Sequence, residues 1–191
     1  MSEKILVTGG LGYIGSHVVV ALAGAGYEPI IVDNLSNARA SVLERLERLT
    51  QKTLTHYDVD IRNRAAMETV LEREPCVGLI HLAAFKAVGE SVEAPLKYYD
   101  NNVTGSVALF DVFEQAGGGG IVFSSSAMVY GDVKVFPLHE GMPVQPKKAQ
   151  RTAPRHGGEE QGRRQRRDGW TRTRYRTTSS GQCSEAASES G

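Results

Sequence analysis

The chain has 191 residues, room for one domain or for a domain with a tail, and its 22 basic and 22 acidic residues cancel overall. The balance hides a split: positions 147–191 hold 11 Lys+Arg against 5 Asp+Glu, leaving 11 basic and 17 acidic residues before them. Two distant cysteines, Cys76 and Cys183, exclude a disulfide framework and a cysteine metal cluster, and no run reaches the roughly 18 apolar residues of a membrane span.

The first 126 residues alternate strand and helix signals. KILVT is a short apolar run ending in glycines, as a buried parallel strand would be. YIGSHVVVALAGAGY predicts a helix that stops at Gly24 and Gly26, and EPIIVDN a second strand. SNARASVLERLERL predicts a helix capped by Ser36, with Val42, Leu43, Leu46 and Leu49 on one stripe. TLTHYDVD, VGLIHLAA and IVFSSS read as further strands, separated by helices in RNRAAMETVLERE and PLKYYDNNVTGSVALFDVFEQA. Repeated β-α units with apolar strands imply a parallel sheet covered by helices on both faces, an α/β doubly wound fold. Asp60 stands where it can cap the helix near Asn63. His81 reads as a satisfied core histidine, and Tyr98 and Tyr99 as packing residues.

After Val144 the pattern stops. From Lys147 onward there is no Val, Ile, Leu, Met or Phe, and RRQRR lies at the centre of an Arg-, Gly- and Ser-rich stretch. Such a composition cannot bury enough apolar surface to offset its ordering entropy, so 1–146 is expected to fold and 147–191 to be disordered. Aliphatic-free, Arg- and Gly-rich sequence is also what off-frame reading of GC-rich coding DNA gives, and a frameshift near residue 147 is the favoured reading. The rival is a basic nucleic-acid-binding arm. Only Trp170 and Tyr175 are there to stack on bases, which weighs against it.

Between the first strand and the first helix lie Thr8-Gly9-Gly10-Leu11-Gly12-Tyr13-Ile14-Gly15. Glycines at Gly9, Gly12 and Gly15 permit a tight turn and let backbone N–H groups approach a pyrophosphate, while the following helix directs its positive end there. The second strand ends in Asp33, 18 residues past Gly15. An acid at that place accepts hydrogen bonds from the adenosine ribose and repels a 2′-phosphate, which points to NAD over NADP.

The register TGGLGYIGSH, followed by VDNLSN, HLAAFKAVGES, YYDNNVTG and FSSSAMVYGD, resembles the extended short-chain dehydrogenase/reductase family over about residues 3–146. The resemblance implies a Rossmann fold with bound NAD. It places Tyr13 and Ile14 beside the pyrophosphate, Asp33, Asn34 and Asn37 on the adenosine side, and Asp60 and Ile61 near the adenine. Leu82, Ala83, Ala84 and Lys86 would line the cofactor after the fourth strand, with Asn101 and Ser124 near the nicotinamide half. Ser126 would be the catalytic serine, and Lys86 and Ser126 would meet the substrate. By family the substrate is a UDP-hexose whose C4 is oxidised and reduced again, an NAD-dependent isomerisation of galactose metabolism. The family also implies a homodimer, while the cysteine usage and the lack of a long apolar run lead to the expectation of a cytoplasmic protein without membrane or metal. Ala127 and Met128 stand where sister dehydratases need an acid, which disfavours dehydration.

The family's catalytic pair is Tyr-x-x-x-Lys on one helix, where i and i+4 share a face and the lysine lowers the tyrosine pKa. Tyr130 and Lys134 have that spacing, but Gly131 and Asp132 are turn formers and Tyr130 belongs to the serine motif itself. The family's tyrosine is expected after Val144-Gln145-Pro146, where this chain reads KKAQRTAPRHGGEEQGRRQ. Tyr175 has Ser179 four positions on. YGDVK is therefore read as a coincidence of spacing. The alternative to an enzyme is a non-catalytic NAD-binding module.

Overall fold

The computed structural model describes residues 2–131, 136–144 and 176–177. Contacts group Met1–Ser124 into one compact unit and Ser125–Gly191 into a second. Lys134 and the tail, apart from the two-residue strand Arg176–Thr177, lie outside the described residues, and so does its expected disorder.

The first unit is built on five parallel strands: β1 (Lys4–Thr8), β2 (Glu28–Val32), β3 (Thr55–Tyr57), β4 (Gly78–His81) and β5 (Gly120–Phe123). Their order is β3-β2-β1-β4-β5. Helices α1 (Tyr13–Gly24), α2 (Ser41–Thr50), α3 (Arg64–Arg73), α4 (Val88–Glu93), α5 (Pro95–Tyr99) and α6 (Gly105–Gln115) connect them. A π-helical turn, Asp100–Thr104, joins α5 to α6. The expected doubly wound parallel sheet is the one found.

Successive strand side chains point to opposite faces, and both faces are apolar. Leu6, Ile30, Val32 and Leu79 pack with Met67, Val70 and Leu71 of α3 and Leu109, Val112 and Phe113 of α6. Val7 and Ile31 pack on the other face with Val19 of α1 and Leu46 of α2. Burying each such side chain stabilises the fold by about 1.5–3 kcal/mol.

The connections from β1 to β2 and β3 run one way from β1, and the crossover through α3 then returns to β4 on its other side. Strand order reverses between β1 and β4, where open α/β sheets hold ligands at their carboxyl ends. The register aligns those ends in a row: Tyr57 beside Val32, Val32 beside Thr8, Thr8 beside His81, and His81 beside Phe123. Each is followed at once by a candidate site residue or its loop.

Three local expectations are corrected. Ser36 does not cap α2, because its own N–H is taken by Asn34 Oδ1 at 3.1 Å and the loop runs on to Ala40, the actual N-cap. Leu49 and Tyr99 are exposed, since neither belongs to the clusters that bury Leu46 and neighbouring residues. Of the two readings of Asp60, the cap is the one that falls away, because Asn63 caps α3 by accepting the Ala66 N–H at 3.2 Å. Among the described residues no helix is long and apolar enough to cross a membrane.

Candidate dinucleotide site

After Thr8 the chain turns at Gly9, whose φ of 71° favours glycine. Gly9 N–H donates to Val32 O at 2.8 Å and Gly12 N–H to Gly9 O at 3.1 Å, closing the turn against β2. A Cβ at Gly9 would sit 2.8 Å from Ala83 N, and one at Gly15 would sit 2.0 Å from Gly9 O. At Gly12 the nearest atom would be Gly9 O, at 3.2 Å. Gly9 and Gly15 are thus required by packing, whereas a Cβ at Gly12 would crowd a single backbone atom. Helix α1 starts there with no side-chain cap and no acid in its first turn, which leaves its positive end for an external anion. Tyr13 and Ile14 are exposed beside it.

Asp33 follows β2 and is 9% exposed. Its Oδ2 accepts Leu11 N–H at 3.1 Å and its Oδ1 accepts Leu35 N–H at 3.0 Å. The acid that sequence reasoning assigned to a ribose also pins the glycine turn, a role the spacing did not disclose. Asn34 Nδ2 donates to Asp60 Oδ2 at 3.0 Å, so Asn34 and Asp60 meet on this side. Asp60 is gripped further by Arg62, through Nε at 2.9 Å and Nη2 at 2.7 Å, and this guanidinium holds its carboxyl down at about 2. Arg62 also donates to Asp100 at 2.6 Å. Ile61 is buried beneath this network, and Asn37 lies exposed farther along the loop.

On the other side of the switch point, Leu82 N–H donates to Thr8 O at 3.0 Å and Ala83 packs below Gly9. Ala84 and Lys86 are exposed. Ser124 N–H donates to His81 O at 3.2 Å, and Asn101 is buried with its Nδ2 on Asn102 Oδ1 at 2.9 Å. Ser126 belongs to the second unit, where Val129 N–H reaches its carbonyl at 3.1 Å. The 3-10 turn Ala127–Tyr130 ends there, and Gly131 with φ 70° prevents its extension.

His81 is 2% exposed, stacked on Phe123 and edge-on to Phe110. Its tautomer follows from its neighbours. Ser106 spends its only hydroxyl proton on Asn102 O at 2.7 Å, so His81 Nε2–H must donate to Ser106 Oγ at 2.8 Å. Nδ1 is then an acceptor, and the Thr8 hydroxyl donates to it at 2.6 Å. Burial pushes the imidazole down to about 4. Its unfolded value is near 6.5, so the unfolded chain gains a proton first and stability falls as pH drops through that interval. The loss from pH 7 to pH 5 is expected to be about 2 kcal/mol more in the native sequence than in His81→Gln. Urea midpoints at the two pH values check this; parallel slopes for both proteins would refute it. Asp60 works in a lower window, since its depressed value costs stability only below the normal carboxylate range.

The comparisons with known proteins agree on one neighbourhood. A family model described as GDP-mannose 4,6 dehydratase matches residues 6–149. The chain is 49% identical over 140 residues to UDP-glucose 4-epimerase of Bacillus subtilis, covering 73% of this chain and 41% of the relative. It is 50% identical over 137 residues to UDP-glucose 4-epimerase of Klebsiella pneumoniae, covering 72% of this chain and 99% of that sequence. A solved UDP-glucose 4-epimerase from Stenotrophomonas maltophila with bound NAD and formylated UDP-arabinopyranose superposes with a TM-score of 0.71 at 43% identity, over 75% of this chain and 43% of the other. The enzyme of Bifidobacterium longum in complex with NAD+ and UDP gives 0.71 at 43% identity, over 74% of this chain and 42% of the other. The chain thus spans about two fifths of the length of the Bacillus relative.

Proposed function

The chain belongs to the GDP-mannose 4,6 dehydratase family, with UDP-glucose 4-epimerases as near relatives, and from that premise we propose that it is the NAD-binding part of such an epimerase. The parent reaction is interconversion of UDP-glucose and UDP-galactose in galactose metabolism, with the dinucleotide retained as a cofactor. NAD, when bound, supplies a reversible hydride acceptor.

The observation that carries the cofactor reading is the glycine turn, closed by Asp33 and opening onto an uncapped helix start. Gly9, Gly12, Gly15, Tyr13 and Ile14 would hold the pyrophosphate. A carboxylate has about four lone-pair sites and Asp33 gives two to the backbone, so two are left for ribose hydroxyls. Its charge would repel a 2′-phosphate. Asn34, Asn37, Asp60 and Ile61 would border the adenosine end, and Leu82, Ala83, Ala84, Lys86, Asn101 and Ser124 the nicotinamide end. Ser126 would orient the sugar hydroxyl, with Lys86 near the substrate. The exposed row Leu96, Tyr99, Val103 and Val107 supports pairing with a second copy, as light scattering of the purified chain would show. The setting is the cytoplasm in this reading.

Asp33→Ala is expected to weaken NAD binding by about 10–100-fold, because a charge-assisted hydrogen bond is worth about 1.5–3 kcal/mol. Discrimination against NADP should relax with it. Calorimetric titration with both dinucleotides tests this, and unchanged affinity and selectivity would remove Asp33 from the site.

A second reading, a dinucleotide-binding module without turnover, is favoured by the tyrosines. Tyr130 stands on a turn that Gly131 ends, and Tyr175 has Ser179 four positions on. The family match ends at residue 149, so the nucleotide sequence across codon 147 bears on it directly.

A further inference from the structure

Asn102 stands on the π-helical turn Asp100–Thr104 and grips one residue of the loop after β4 at both of its polar ends. Its Oδ1 accepts Phe85 N–H at 2.8 Å, and its Nδ2 donates to Phe85 O at 2.8 Å. Asn101 Nδ2 donates to the same Oδ1 at 2.9 Å, which fixes the sense of the amide. The next residue in the loop is Lys86. Single π turns inside α-helices occur frequently at functional sites, and this one carries two consecutive engaged asparagines.

The clamp is not isolated. The Asn102 carbonyl takes the Ser106 proton, Ser106 takes the proton of His81 Nε2, and His81 Nδ1 takes that of Thr8. Thr8 is the residue before Gly9. Thr8, His81 and Ser106 are all under a tenth exposed, and each donor in the series has one acceptor and one direction. In a dry interior, a fully satisfied chain of this kind polarises along its length and resists distortion.

We propose that Thr8, His81, Ser106 and Asn102 form a positioning chain that ties the glycine turn to the loop carrying Lys86, with Asn102 as the residue that sets the loop. Only the coupling to the turn rests on the NAD reading; the clamp itself does not. Asn102 and Thr8 are positioning residues, since neither needs to touch substrate.

Lys86 is exposed and precedes Ala87, so trypsin reports on the loop directly in the folded chain. Without nucleotide, Asn102→Ala is expected to raise the cleavage rate after Lys86 about tenfold, the equivalent of one to two lost hydrogen bonds. Asn102→Asp keeps the acceptor for Phe85 N–H but sets a carboxylate against Phe85 O; it is expected to do the same should the alanine variant fail to fold. Thr8→Val keeps volume and removes the hydroxyl, whereas Thr8→Ser keeps the hydroxyl and loses a methyl. Positioning ranks Ser above Val, for both Lys86 protection and NAD affinity by titration. Packing alone ranks them the other way. Unchanged cleavage after Lys86 in both Asn102 variants, or Thr8→Ser impaired as much as Thr8→Val, would overturn the proposal. A native chain that does not bind NAD, while Asn102→Ala still frees Lys86, overturns the cofactor reading and supports the clamp.

Discussion

Gly15→Ala is expected to lower the melting temperature by roughly 10 °C and to abolish measurable NAD binding. The added Cβ would lie 2.0 Å from Gly9 O, 2.7 Å from Gly10 Cα and 2.9 Å from Gly9 C, all of them backbone atoms. No flexible side chain can yield, so α1 must withdraw until a 2.0 Å approach becomes an ordinary contact beyond 3.4 Å. Overpacking of this kind costs about 1–3 kcal/mol, with the larger end fitting a backbone collision. The same withdrawal carries the first-turn N–H groups away from the anion they would serve. Gly12→Ala is the control. Its Cβ meets only Gly9 O, at 3.2 Å, and Gly12 has φ −72°, which any residue adopts. Loss of the glycine N-cap is expected to cost about 1 kcal/mol, and binding is expected to fall because the methyl is added at the helix start proposed to meet the pyrophosphate. Thermal melts and NAD titrations of the two variants separate packing from cradle. A Gly15→Ala protein with native melting temperature would show that the turn has more freedom than its contacts imply.

That prediction also marks how far the sequence could be read. The spacing of Gly9, Gly12 and Gly15 was legible because backbone sterics demand glycine at Gly9 and Gly15, and Gly12 completes the pattern of a phosphate-binding turn. Four of the five strands were legible because continuous apolar runs such as EPIIV admit few other uses, and the half-buried β3, THY, through its β-branched and aromatic residues. Asp33 was legible as an acid at a strand end, but its grip on Leu11 and Leu35 was not, because both contacts depend on how the turn folds back over β2. Ser36 failed as a cap because side-chain-to-backbone bonds from Asp33 and Asn34 hold the loop open ahead of it. Thr8, His81, Ser106 and Asn102 lie up to 98 positions apart, from Thr8 to Ser106, and no periodicity links them. His81 was correctly read as a satisfied core histidine from its apolar strand, yet its partners became visible only when parallel pairing set it beside Thr8. The π turn was invisible for the same cause: its asparagines suit a helix poorly, and what Asn102 gains comes from Phe85, 17 positions back. Tertiary contacts decided these features.

Turnover of UDP-galactose by this chain is expected to be a trace at most, and unaffected by Tyr130→Phe. In the proposed reading Ser126 orients a hydroxyl, but a serine hydroxyl is by itself a poor general base. The family's base is a tyrosine whose pKa a lysine lowers from one helical turn away. Tyr130 ends a four-residue 3-10 turn, and the left-handed Gly131 behind it breaks the helical path that an i, i+4 pair requires. Losing a positioned general base typically costs about 10²–10⁴-fold. Residues 147–191 contain no Val, Ile, Leu, Met or Phe from which to build a packed substrate lobe, so weaker orientation of the hexose is expected as well. The two deficits compound. Purified chain, with NAD binding confirmed first by titration, is mixed with UDP-galactose, and UDP-glucose is followed by a coupled assay. A rate near an ordinary enzyme's ~10 s⁻¹ that Tyr130→Phe abolishes would make YGDVK the active site after all. A rate of that size indifferent to Tyr130 would instead assign the base to another side chain, and Ser126→Ala would then decide whether the serine motif takes part.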